Sequence, residues 1–159
     1  MKHLLIDVDE TLIQNKKGYN NIHNDPRLSY LLNECNCPKY IYTNATFTHA
    51  NLVLHKLNIT NQFHKIYSRD TIPSMKPSLH SAVSVENNIN RNANNIKNEF
   101  IFCDDLLENL KTGKQRKWMT IWISPLFEYK NRYPFVDYAF PNLKLALAYL
   151  IQKKILSKT

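Results

Sequence analysis

Short runs of consecutive apolar residues punctuate the chain. Leu4-Leu5-Ile6, Tyr40-Ile41-Tyr42, Phe100-Ile101-Phe102-Cys103 and Met119-Thr120-Ile121-Trp122-Ile123 have strand length and show no two-residue alternation. Parallel strands covered on both faces read this way. Ile66-Tyr67 and Tyr138-Ala139-Phe140 are weaker runs of the same kind. Between the runs the apolar spacing changes to three and four residues, the mark of helices with one buried face.

Asp25-Pro26 offers an N-cap followed by proline at the first helical position, and Leu28, Leu31 and Leu32 then share a face. From Thr46 onward, Phe47, Ala50, Val53, Leu54 and Leu57 line one side, and Asn58 can close that helix in the left-handed conformation. A third helix is expected after Pro77 and a fourth after Asp105. The last is expected near Pro141, with Leu143, Leu147, Leu150 and Ile151 on one face. Strands alternating with helices predict a three-layer α/β sandwich. Residues 87–98 hold seven asparagines in twelve positions and read as a polar surface loop, partly helical at most.

At 159 residues, 43% of them hydrophobic, the chain suffices for one domain with a real core. No apolar run reaches membrane-spanning length, and Asp7 and Asp9 interrupt the N-terminal run where a signal peptide would continue. Three cysteines are too few for a disulfide framework, and Cys35-x-Cys37 has no second pair with which to hold a metal. A cytoplasmic setting is the expectation. The net charge of +8 fits either a surface that attracts polyanions or ordinary solubility. With only Gly18 and Gly113 present, asparagine and aspartate are expected at positions of positive φ.

In a parallel sheet, ligands bind beyond the carboxyl ends of the strands. The first strand runs into Asp7-Val8-Asp9-Glu10-Thr11, whose two carboxylates project the same way from an extended chain. Buried together they would repel, so an acidic pair there calls for a cation or a reaction. The second strand ends in Thr43-Asn44, just before a helix whose free N–H groups favour an anion. Lys76-Pro77 sets a cation before the next helix, and the fourth strand ends in a second acidic pair, Asp104-Asp105. Each is unremarkable by itself; in this order they specify acids for Mg²⁺, a nucleophilic carboxylate and donors for a phosphoryl group.

Those residues resemble the four motifs of the haloacid dehalogenase (HAD) superfamily of phosphatases. Asp7-Val8-Asp9-Glu10-Thr11 matches DxDxT, and Thr43, Lys76 and Asp104-Asp105 match the second, third and fourth motifs. Thr43-Asn44-Ala45 with His49-Ala50, Leu54, Leu57 and Ile59 is similar to the pyrimidine 5′-nucleotidase branch, as are Asp104-Asp105 with Asn109 and Thr120. The resemblance implies a three-layer Rossmann-like α/β core, with a mostly parallel sheet flanked by helices. It implies Asp7 as nucleophile and Asp9 as general acid and base. Mg²⁺ would be held by Asp7, the Asp9 backbone carbonyl and Asp104, with Asp105 assisting. Thr43 and the Asn44 amide would bind phosphate, and Lys76 would stabilise Asp7 and the transferring group. Thr11 and His49 read as structural, and Asn109 as shaping the helix after the acidic pair.

Relatives in that branch carry a large helical cap between the first two motifs. Here residues 12–38 leave room for a flap and a minimal cap, within one domain spanning 1–159. Glu10 and Lys117 stand at or near positions where relatives usually have glycine. An open site accommodates small phosphomonoesters, nucleotides among them, or a phosphate on a macromolecule such as a nucleic-acid end or a phosphoprotein. The basic residues Lys111, Lys114, Arg116 and Lys117 favour a polyanion or merely form a solvated face. A non-catalytic phosphate-binding module is the remaining alternative.

Overall fold

A computed structural model describes residues 1–14, 18–91 and 97–157. Six strands form one sheet: β1 (Lys2–Ile6), β2 (Lys39–Tyr42), β3 (Lys65–Tyr67), β4 (Glu99–Asp104), β5 (Met119–Ile123) and β6 (Tyr138–Phe140). Their spatial order is β3-β2-β1-β4-β5-β6, and every pairing is parallel. The order reverses at β1, between β2 and β4, which is where an open α/β sheet forms its crevice. Five helices connect the strands: α1 (Pro26–Glu34), α2 (Phe47–Lys56), α3 (Leu79–Arg91), α4 (Leu107–Gln115) and α5 (Leu143–Gln152).

Alternate residues of each strand feed two separate hydrophobic layers. Leu4, Ile6, Ile41, Ile101, Cys103, Ile121 and Ile123 pack with α1, α2 and α5. Leu5, Tyr42, Phe100, Phe102 and Trp122 face the other way, against Ala82, Val85 and Ile89 of α3 and Leu110 of α4. This second layer is rich in aromatics: the Tyr42 and Phe102 rings stack at 5.5 Å, and Trp118 meets Phe102 edge-on at 5.7 Å. The sheet is thus covered on both faces, which is why its strands read as continuous apolar runs.

Helix ends follow from local chemistry. Asp25 caps α1 by accepting from the Leu28 amide, and Thr46 and Asn142 cap α2 and α5 in the same way. Three helices close on a left-handed residue: Asn58 after α2, Lys117 after α4 and Lys154 after α5. In each, the following amide returns to a carbonyl five residues back, as Trp118 does to Gly113 at 3.0 Å.

Several expectations are corrected. Among the described residues, the non-glycines at positive φ are Glu10, Asn58, Lys117 and Lys154, so asparagine serves once and aspartate not at all. Phe47, expected on the buried side of α2, is exposed in its first turn. The asparagine-rich stretch, expected as a partly helical polar loop, is helical through Arg91, held by the buried Val85 and Ile89; residues 92–96 lie outside the described residues. The helix expected after Asp25-Pro26 is α1, which buries Leu28, Leu31 and Leu32 in the core beside α5; of the segment 12–38 expected as flap and minimal cap, residues 15–17 lie outside the described residues.

Candidate active site

Asp7 follows β1 directly, and its amide continues the ladder by donating to the Cys103 carbonyl at 3.1 Å. The chain then turns on the Val8 carbonyl, which accepts from Thr11, Leu12 and Ile13, with Glu10 at φ 60° making the bend. Thr43, 1% exposed, directly follows β2; its hydroxyl accepts from the Ala45 amide at 3.0 Å and keeps a hydrogen to donate. At the end of β4, the Asp104 carboxylate accepts from the Leu106 amide at 2.8 Å and from Asn109 at 3.1 Å. Asp105 is fixed by Trp122, whose indole donates to its carbonyl at 3.0 Å. The long contact from the Thr11 hydroxyl to Asp105, 3.4 Å, suits a loop-bracing role.

Lys76 joins these ends. Its ammonium donates to Asp7 at 3.0 Å, to Asp104 at 2.7 Å and to the Tyr42 carbonyl at 2.8 Å, so its three hydrogens meet three acceptors. Tyr42 and Phe102 flank it with ring centroids 5.0 and 5.4 Å away. Burial alone would lower the lysine's pKa, but Asp104 and Asp7 outweigh it and the pKa is raised. Asn44 positions this lysine: its side-chain amide accepts from the Lys76 N–H and donates to the Lys76 carbonyl, both at 2.9 Å. That two-point clamp is a role for Asn44 beyond the one expected from the sequence.

Asp7, Asp104 and Asp105 each offer a carboxylate oxygen within 4.8 Å of the others. Burial, with Asp104 and Asp105 nearby, pushes the Asp7 carboxyl well above the usual carboxylate range despite Lys76. Burial and Asp104 raise Asp105 as well. One lysine cannot neutralise three carboxylates, so the cluster retains negative charge that a second cation would balance. Its hard oxygen donors fit Mg²⁺. Asp9 stands apart from the three: its carboxylate meets the His49 ring at 3.0 Å. Sequence reasoning set His49 aside as structural. Its position three residues after the Thr46 cap was legible, but nothing marked a partner forty residues away.

Other candidates carry less. Cys35 and Cys37 are free thiols whose pKa values burial pushes up to about 12 and about 11, so neither is a reactive thiolate. On the basic helix, Lys114 pairs with Asp137 at 2.6 Å and Arg116 holds Glu86 through two nitrogens at 2.9 and 3.1 Å. Two of its four cations therefore serve internal pairs. Among the described residues, no helix is long and apolar enough to cross a membrane.

A six-stranded parallel sheet between helix layers is a Rossmann-like α/β fold, and it matches the core of solved HAD-superfamily hydrolases. Solved structures with this fold include the L-2-haloacid dehalogenase of Xanthobacter autotrophicus, with a TM-score of 0.62 and 16% identity over 84% of this chain and 63% of that one. The HAD-hydrolase YfnB of Bacillus subtilis, solved bound to magnesium, has a TM-score of 0.60 and 17% identity over 80% of this chain and 54% of that one. A predicted phosphoglycolate phosphatase of Haemophilus somnus 129PT has a TM-score of 0.60 and 13% identity over 78% and 56%. The chain thus spans 54–63% of the length of these three. No protein-family model matches the sequence, and no curated protein matches it.

Proposed function

We propose that the chain is a Mg²⁺-dependent phosphomonoesterase that works through an aspartyl-phosphate on Asp7. The observation that carries this reading is the buried Lys76 bridging Asp7 and Asp104 within a three-carboxylate cluster. Asp7 attacks phosphorus in line, the Asp7–phosphorus bond forms and the ester bond breaks, and Asp9 gives its proton to the departing oxygen. Asp9 then takes a proton from water as that water displaces Asp7 and frees phosphate. Asp7, the Asp9 carbonyl and Asp104, with Asp105 assisting, would hold Mg²⁺, which supplies the charge that lets a carboxylate approach a phosphate dianion. Lys76 fixes the attacking carboxylate, while Thr43 and the Asn44 backbone amide bind phosphate oxygens.

Dehalogenases share the fold, but halide departs as a stable anion and needs neither a proton donor nor a metal-binding acid cluster. The second carboxylate, Asp9, and the acid triad are the parts a phosphate requires. A nucleotide 5′-phosphate is one candidate substrate. A phosphoprotein is the second reading, favoured by the exposed Phe47, Met75, Leu79, Leu106 and Leu126, all at the carboxyl end of the sheet. Such an apolar rim suits a protein surface better than a nucleic-acid backbone. A reduced cap, as read for residues 12–38, would leave this rim open to a large substrate. Phosphate release from nucleoside monophosphates, phosphorylated oligonucleotides and phosphopeptides, beside halide release from 2-chloropropionate, tests the proposal. Halide release without phosphate release would overturn it.

A further inference from the structure

We infer that His49 is a positioning residue for Asp9, holding its carboxylate in the orientation from which it exchanges protons with the leaving group; this rests on the phosphatase reading above. His49 is the third residue of α2, and the Thr46 cap accepts from its amide at 3.2 Å, which fixes the start of the helix and so the root of the ring. At that position a capping-box side chain would fold back onto the cap residue's own N–H. The His49 ring reaches across to Asp9 instead, with Nε2 3.0 Å from Oδ1. The neighbouring Ala50 is fully buried, so α2 is seated firmly against the sheet and the ring starts from a rigid base.

Lys76, Asn109 and the Leu106 amide hold Asp7 and Asp104, and the His49 ring gives the Asp9 carboxylate a defined direction. The Asp9 side chain is 36% exposed and that of His49 only 18%, so the ring is the more confined member of the pair. An exposed aspartate samples several rotamers, and a proton donor is effective only within hydrogen-bond reach of the departing oxygen. Fixing Asp9 therefore matters most when the leaving oxygen is basic. An alkoxide cannot depart without the proton, whereas a nitrophenolate can.

The test compares kcat/KM, which reports the steps through leaving-group departure, for an alkyl phosphate and for p-nitrophenyl phosphate. His49→Ala should lower the alkyl value by roughly tenfold or more and the aryl value far less. His49→Gln, whose amide nitrogen can stand near the position of Nε2, should restore much of the alkyl activity. Imidazole ¹⁵N spectra supply a readout independent of turnover: Asp9→Asn should shift the His49 Nε2 signal. Equal losses for the two esters, no loss, or an unshifted His49 signal would overturn the proposal while leaving the phosphatase reading intact. Absence of turnover of any phosphomonoester by the unaltered protein would overturn both.

Discussion

Replacing Lys76 with methionine removes the buried cation while nearly preserving side-chain length. Two carboxylates that shared an ammonium at 3.0 and 2.7 Å then face each other with no protein cation between them. Lys76 is 6% exposed, Asp7 7% and Asp104 0%, so water cannot replace the lost partner. Breaking a buried pair by deleting one member costs about 3–5 kcal/mol. At roughly 2–4 °C per kcal/mol for a domain of this size, Tm should fall by about 6–20 °C. The deficit depends on pH. Burial already holds the Asp7 carboxyl above its ordinary range, and losing Lys76 raises it further. A raised carboxyl disfavours folding increasingly as pH rises, so the deficit should be smaller near about pH 5 than near about pH 7. Mg²⁺ should substitute in part for the ammonium, giving about 2.7 kcal/mol at a hundred times its Kd; at equal Mg²⁺ concentration the increment should be larger in the variant, whose freed carboxylates bind it more tightly. Urea and thermal melts at both pH values, with and without Mg²⁺, check this. A metal-free variant within about 1 kcal/mol of the parent, or equal Mg²⁺ increments in both at one concentration, would refute the argument that Lys76 balances part of the charge of this cluster.

Three substitutions test the scaffold by urea denaturation. Asp25→Ala removes the α1 cap and the Lys144 contact at 2.9 Å and should cost about 1 kcal/mol near neutral pH. Partial burial pushes the Asp25 carboxyl up, but the Leu28 amide and Lys144 pull it below its usual value; the cost should therefore vanish as pH falls through that lowered range. Gly113→Ala places a methyl 3.2 Å from both Phe102 and Trp118, neither of which can retreat. Helix propensity returns about 1 kcal/mol and overpacking costs about 1–3, so a net loss near 1 kcal/mol is expected. Lys117→Gly relieves a left-handed backbone at φ 63° on an exposed residue and should stabilise by about 0.5–1 kcal/mol.

The sheet was readable because burial on both faces favours apolar residues along the central strands, so Leu4-Leu5-Ile6 and Phe100-Ile101-Phe102-Cys103 stood out as unbroken runs. The weaker β3 and β6 lie at the sheet edges, where a shorter strand suffices. Asp7, Lys76 and Asp104 were legible because strand ends are where such groups gather, and the structure brings all three together. What stayed hidden were pairings between distant segments. The Asn44 clamp on Lys76, the His49 contact with Asp9 and the engagement of Lys114 and Arg116 by Asp137 and Glu86 depend on how elements pack, which no local pattern encodes. The left-handed Glu10 and Lys117 show tertiary structure overriding backbone preference: the loop and helix end must turn there whatever side chain is present.

The central claim is that Asp7 is a nucleophile toward phosphorus in a metal-assisted site. Its most direct test is inorganic phosphate release from p-nitrophenyl phosphate by the parent and by Asp7→Asn, each with Mg²⁺ and with EDTA, after both are shown to be folded. The parent should release phosphate with Mg²⁺ and not with EDTA, and the variant should release none above background. Release that persists in folded Asp7→Asn, or that is indifferent to EDTA, would contradict it.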